Sequence, residues 1–444
     1  MNTSLIGCIV SSIVKAAYYV FAPLAFLLYL ALHPKKYGAA VREKFGAVPL
    51  RDLSKPCLLV HAVSVGEVLA ARTVINEFKA THPDWQVIVS TSTATGRQVA
   101  EDKYGAASVV YYPLDCICWV RKFLHALRPQ MIVLMELEIW PVFLDYTREY
   151  RIPVVVANAR ITAESAAQYL KIRKFPFLSS LLLQAFNTPD KWLAQTEEYA
   201  ARLREIGVDA ERIIINGNIK FDQIPTALRI EDGAAYRREI GVPPAGRVIV
   251  SGSTHPGEDE FVIDAWRNLR RDLPGLKLVI APRHPHRIPA VKELAAKAGT
   301  VILRSQMKAA AEKGEELPSA DMVIVDTMGE LAKFYAAADA VFVGGTLIPH
   351  GGQNMAEPCG LAKPTVIGGS FFNFTETVEA LRPAGLIKVI ASGNELEGAL
   401  RDFLTHPEEA AATGNAAREA LISLAGASRR TVALLTEIYE SSAR

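Results

Sequence analysis

From residue 58 onward the chain alternates short apolar runs with longer segments of mixed polarity. The runs of the first half are Leu58 to Val63, Val87 to Ser90, Val109 to Tyr112, Ile132 to Met135, Val154 to Ala157 and Trp192 to Gln195. A polar break follows at Glu231 to Gly246. The rhythm then resumes with Val248 to Ser251, Leu278 to Ala281, Val301 to Leu303, Met322 to Val325, Ala340 to Val343 and Thr365 to Ile367. Strand-length runs separated by helix-like segments imply βαβ units and mainly parallel sheets. Two doubly wound α/β halves of nearly equal size are the expected architecture.

The N-terminus departs from this rhythm. Between Leu5 and Leu32 the single charge is Lys15, and the uncharged stretch from Ala16 to Leu32 approaches the roughly 20 residues of a bilayer span. No positive charge precedes the apolar run that begins at Leu5 and no small-residue cleavage site follows it, so a removable signal peptide is disfavoured. Lys35, Lys36, Arg42 and Lys44 lie just beyond it. By the positive-inside rule they place the bulk of the protein in the cytoplasm, anchored by a helix in or across the membrane. Pro23 and the tyrosines Tyr18, Tyr19 and Tyr29 leave spanning and embedding both open.

Composition narrows the function. With 444 residues, 50% hydrophobic and 22% charged, the chain has material for two full cores. A net charge of +2 speaks against a dedicated nucleic-acid binder, which concentrates basic residues on one face. The cysteines, Cys8, Cys57, Cys116, Cys118 and Cys359, are odd in number and scattered, which suggests neither a disulfide framework nor a zinc ribbon.

Open parallel sheets bind ligands beyond the carboxyl ends of their strands, so the residues after each run are the candidates for chemistry. In the first half Ser64-Val65-Gly66-Glu67 puts Glu67 at a helix start, where the dipole favours a carboxylate that can take a proton. Glu136 and Glu138 alternate with apolar residues at a strand end, an alternation that sends both to one face. Asn158-Ala159-Arg160 follows the next strand, and Lys220, in Gly217-Asn218-Ile219-Lys220-Phe221-Asp222, suits a phosphate. In the second half Ser253 and Thr254 sit in a small, hydroxyl-rich turn before a helix. Pro282, Arg283 and His284 supply donors for a phosphate or carboxylate, and Met328, Gly329 and Glu330 hold the equivalent place after their strand. Finally Gly351 and Gly352 lead into Asn354, Met355, Ala356 and Glu357. Glycines allow close approach of backbone to a ligand, and Glu357 suits a sugar diol. The histidines lack neighbouring carboxylate ligands, so a metal role is the weaker option.

Together these segments resemble the 3-deoxy-D-manno-octulosonic acid (Kdo) transferases of lipopolysaccharide synthesis. The likeness runs in order through the membrane-proximal N-terminus, His61-Ala62-Val63-Ser64-Val65-Gly66-Glu67, Glu136-Leu137-Glu138-Ile139-Trp140-Pro141, Gly217 to Asp222, Pro282-Arg283-His284-Pro285, Met328-Gly329-Glu330-Leu331 and Gly351 to Pro358. It implies a GT-B glycosyltransferase: two Rossmann-like domains with the active site in the cleft between them, taking Kdo from CMP-Kdo to a lipid A precursor such as lipid IVA on the cytoplasmic face of the inner membrane. It implies Glu67 as general base, Glu138 and Lys220 as transition-state stabilisers, and the three second-half segments as CMP contacts. The implied organisation is an anchor at 1–36, an acceptor domain at 37–228, a CMP-Kdo-binding domain at 229–430 and a C-terminal helix and tail at 431–444. The family commonly has His and then Asn-Pro-Leu-Glu where this chain has Gln353-Asn354-Met355-Ala356-Glu357, so the ligand-type Asn and Glu are kept. No Asp-x-Asp clamp stands among the motifs, so no metal or other cofactor is expected. A GT-B transferase using a UDP-sugar on a lipid-linked acceptor, and a tethered binding protein without turnover, are the competing readings.

Overall fold

The computed structural model describes residues 41–223, 232–243, 245–315 and 320–442. The expected anchor at 1–36 and the expected domain boundary at 228 lie outside these residues. No helix among the described residues is long and apolar enough to cross a membrane.

The chain forms two compact units, one of residues up to 223 together with 425 onward, the other of the residues between. In the first, strands β1 (Cys57–His61), β2 (Gln86–Thr91), β3 (Val109–Tyr111), β4 (Met131–Met135), β5 (Val154–Ala159), β6 (Lys191–Ala194) and β7 (Ile213–Ile215) make a parallel sheet in the order β3-β2-β1-β4-β5-β6-β7. Its central strands are apolar up to their carboxyl ends because both faces are covered. Leu59, Ile132 and Leu134 enter one core with Phe123 and Phe143, while Leu58, Val60, Val133 and Met135 enter the opposite one with Val68, Val74 and Phe78. That division is the period-two pleat, read side chain by side chain.

The second sheet is also parallel: β8 (Val248–Thr254), β9 (Lys277–Pro282), β10 (Val301–Leu303), β11 (Met322–Ile324), β12 (Ala340–Val343), β13 (Thr365–Gly368) and β14 (Lys388–Ile390), in the order β10-β11-β9-β8-β12-β13-β14. Trp266 and Leu269 of the helix Asp259–Leu269 pack with Leu278, Ile280 and Phe342 on one face. In each sheet the order reverses beside the first strand, between β1 and β4 and between β8 and β12. Those two places are the switch points at which ligands of open α/β sheets bind.

The last helix, Ala427–Ser442, belongs to the first unit, whereas the sequence division ran the second domain on to 430. Val432 and Leu435 join the core beneath Val68 and Val74. Asn216 Nδ2 donates to Ala427 O at 3.0 Å and to Thr431 Oγ1 at 2.9 Å, and Ser428 N donates to Asp222 Oδ2 at 2.5 Å.

Candidate active site

At the first switch point β1 delivers His61 and β4 delivers the Glu136 turn. Beyond β1, Ser64 caps the helix Val65–Thr81 in a reciprocal capping box with Glu67. The Glu67 carboxylate accepts from Val63 N at 2.9 Å, Ser64 N at 3.2 Å and Ser64 Oγ at 2.8 Å. It is nearly buried, at 8% exposure. Rigid backbone donors fix its position, and the hydroxyl is the one donor that can rotate away.

The two glutamates after β4 lie beyond the last strand residue, Met135, so the strand alternation does not extend to them. The chain leaves the sheet at Met135, and Glu136 turns with φ +58°, a left-handed value that strains a residue with a Cβ. Leu137, Ile139 and Trp140 then lean on the core. Glu138 is held by Trp140 Nε1, which donates to Oε2 at 2.8 Å, and the same oxygen lies 3.8 Å from His61 Nε2. His61 is fully buried, stacked on Tyr112 and bonded at Nδ1 to Ser90. Glu67 and Glu138 thus stand on the neighbouring ends of β1 and β4.

Lys220 lies on a 3₁₀ turn, Ile219–Gln223. Ile219 N donates to Asn158 Oδ1 at 3.1 Å, and Asn158 is itself left-handed at φ +55°. Asp222 holds the other side of the turn through Gly426 N and Ser428 N. The turn is fixed at both ends while the Lys220 side chain is exposed.

At the second switch point Glu258 is the organising group. Fully buried, it accepts from His255 N at 2.9 Å and Gly345 N at 2.7 Å through Oε2, and from Thr346 N at 3.1 Å and Leu347 N at 3.0 Å through Oε1. One carboxylate therefore ties the loop after β8 to the loop after β12. Gly344 sits where a Cβ would meet Ser253 O at 2.5 Å, so only glycine permits that approach. Ser253 is left-handed at φ +57°, where β8 and β9 change register.

The candidate donor residues all stand at the carboxyl ends of this sheet, and the structure separates their roles. Pro282 ends β9, and Arg283 and His284 are exposed after it. Met328 is 83% exposed, and Gly329 turns at φ +80°. The Glu330 side chain is already committed: Arg304 Nη2 lies at 3.1 Å and Lys308 Nζ at 3.0 Å, with Thr327 Oγ1 also donating. Burial raises its pKa, but these donors outweigh it and bring the carboxyl down to about 2. What this loop offers a ligand is therefore backbone and Met328. Gly351 and Gly352 have φ of +88° and +84°. Met355 is fully buried and serves the core, whereas Asn354 is exposed and its Nδ2 donates to Glu357 Oε1 at 3.2 Å. Burial pushes the Glu357 carboxyl up, and that Asn354 hydrogen bond works against the rise. Thr254 is buried with an unpartnered hydroxyl. Beside the glycine loop a cavity of about 530 Å³ is lined by Thr346, Leu347, Pro349, Ser370, Phe371 and Phe372, of which Ser370, Phe371 and Phe372 were not suggested by the sequence motifs. Glu258 was legible as a residue three after His255, the spacing of a cap, but its reach across to β12 was not.

Two parallel α/β units with polar and glycine-rich strand ends at their switch points are the plan of the GT-B glycosyltransferases. The family described as 3-Deoxy-D-manno-octulosonic-acid transferase (kdotransferase) matches residues 39–223. A 3-deoxy-D-manno-octulosonic acid transferase of Haemophilus influenzae is 31% identical over 94% of this chain and 95% of its own length. That of Bordetella pertussis is 32% identical over 91% of each. A UDP-GlcNAc 2-epimerase of Neisseria meningitidis bound to UDP-GlcNAc, 14% identical, superimposes with a TM-score of 0.53 over 86% of this chain and all of the other, a likeness of fold. The chain belongs to the 3-deoxy-D-manno-octulosonic acid transferase family, and is a glycosyltransferase.

Proposed function

We propose that this protein transfers Kdo from CMP-Kdo to the lipid A precursor lipid IVA, with inversion, at the cytoplasmic face of the inner membrane. The observation that carries the reading is family membership over nearly the full chain, joined to a carboxylate fixed at the first switch point. Glu67 accepts the proton of the acceptor hydroxyl, exchanging the Ser64 Oγ bond for it. That oxygen forms its bond to the anomeric carbon as the bond to the phosphate oxygen breaks, and CMP leaves with the electron pair. While the bond to the phosphate oxygen is breaking, the sugar carries oxocarbenium character, which the Glu138 carboxylate stabilises. Lys220 offers a cation to the departing phosphate, while Arg283, the backbone at Gly329 and the loop Gly351 to Glu357 hold the nucleotide.

The uncharged N-terminal stretch is proposed as the anchor, and Lys35, Lys36 and Arg42 as contacts for anionic lipid; Lys44, expected among them, is buried and donates from Nζ to Ser92 O at 3.2 Å. Keeping the enzyme at the leaflet raises its effective concentration toward an acylated acceptor. Purified full-length protein incubated with lipid IVA and CMP-Kdo should give a product heavier by Kdo in mass spectrometry. Transfer from UDP-sugars with none from CMP-Kdo would replace the donor assignment.

A further inference from the structure

Several buried polar atoms at the end of β8 lack a partner among the described residues: Ser251 Oγ, Thr254 Oγ1 and His255 Nε2. His255 is 4% exposed. Its Nδ1 lies 3.1 Å from Ser253 O. A carbonyl can only accept, so Nδ1 carries a hydrogen in every protonation state and the neutral ring presents a bare lone pair at Nε2. A histidine placed for packing alone would have that atom satisfied.

The surroundings are unusual for a core histidine. The His350 ring lies 4.2 Å from the His255 ring and the His284 ring 5.6 Å, and His286 stacks on His284. His284 and His350 are exposed. Gly345, at φ +71°, keeps the space between them open: a Cβ there would come within 3.3 Å of His350 and 3.4 Å of His255. The other charged groups around the ring are Arg287, which is paired with Asp259, and Glu258, 3.9 Å from Nδ1. Glu258 is spent on four backbone N–H groups and Arg287 on Asp259 and Thr254 O. Burial first, then His350, His284 and Arg287, hold the His255 pKa below its ordinary 6.5, against the Ser253 carbonyl. The ring is therefore neutral at pH 7.

We propose that His255, with His284 and His350 beside it, is the seat of the donor's phosphate, and that His255 takes up a proton when the phosphate arrives. This rests on the CMP-Kdo reading above and adds residues to it. A neutral Nε2 repels a phosphate oxygen. Protonated, it donates a charge-assisted hydrogen bond, and the anion reverses the repulsion that keeps the empty ring neutral. Protonation adds one hydrogen to Nε2, drawn from solvent.

The test is calorimetric titration of the full-length protein with cytidine 5′-monophosphate, with uridine 5′-diphosphate and, separately, with cytidine, at pH 7.5 in buffers of different ionisation heat. CMP should bind with net uptake approaching about one proton, and cytidine with none. His255→Gln should abolish the uptake and weaken CMP about tenfold or more, the worth of one charge-assisted bond. His350→Gln, at an exposed position that leaves the fold intact, should reduce both. CMP binding without proton uptake, or unaltered in both variants, overturns the imidazole seat. Uptake with UDP but no binding of CMP keeps the seat and overturns the donor reading. Failure of both nucleotides to bind overturns both.

Discussion

Replacing Glu258 by glutamine removes half of the acceptors that join the loops after β8 and β12. The carboxylate spends each oxygen on two backbone N–H groups: His255 and Gly345 on one, Thr346 and Leu347 on the other. A carboxamide can place its oxygen against one pair only, and its NH₂ then confronts the other two donors. Each buried hydrogen bond to a charged group is worth about 1.5–3 kcal/mol, so losing two costs roughly 3–6 kcal/mol. That is a large part of the roughly 5–15 kcal/mol by which a domain is stable. At about 2–4 °C per kcal/mol for a unit of this size, its melting transition should fall by on the order of 10 °C. Differential scanning calorimetry is the assay, because two units can give two transitions. A fall of less than about 2 °C would refute the claim that this carboxylate staples the second switch point.

Other consequences follow from the same geometry. Gly344→Ala should destabilise the second unit by about 1–3 kcal/mol in urea unfolding, because its Cβ meets backbone and not a movable side chain; an unchanged midpoint would mean the loops are looser than described. Glu330, held down to about 2, contributes stability that is present above pH 4.5 and lost as the pH falls toward 2; Glu330→Gln should flatten the stability curve in that window. His255, with its pKa lowered, acts in the same direction in a higher window: without ligand, stability should decline as the pH drops below 6.5, because the unfolded chain binds the proton more readily, and His255→Gln should remove that component. Lys220→Ala should leave the melting temperature unchanged, since the side chain is exposed, yet lower kcat by about 10²-fold. An unaltered kcat would take Lys220 out of the reaction.

Much of this was legible because parallel strands buried on both faces write themselves as uninterrupted apolar runs. Two strands escaped. β7 (Ile213–Ile215) and β14 (Lys388–Ile390) are three-residue edge strands, half exposed, too short and too mixed to stand out from their flanks. The strand ends were legible too, since glycine and small polar residues mark where the chain turns toward a ligand. Side-chain commitments were not. Nothing in the order Glu136-Leu137-Glu138 announces the left-handed turn at Glu136 that ends the alternation, and nothing near Glu330 announces Arg304, which comes from another helix. The return of Ala427–Ser442 to the first unit likewise rests on Asn216 and Asp222, more than two hundred residues earlier.

The most direct test of the account is the rate of Kdo transfer from CMP-Kdo to lipid IVA by Glu67→Gln beside the wild type. Glutamine keeps one acceptor oxygen, enough for the Ser64 donors, but its NH₂ then faces the Val63 N–H. Stability should therefore fall by about the 1.5–3 kcal/mol of one hydrogen bond to a charged group, and rates are compared below the variant's melting temperature; it cannot take the acceptor's proton. Wild-type protein should make product and the variant should be slower by about 10²–10⁴-fold. A folded wild type that transfers no Kdo, or a Glu67→Gln variant that transfers it at the full rate, would contradict it.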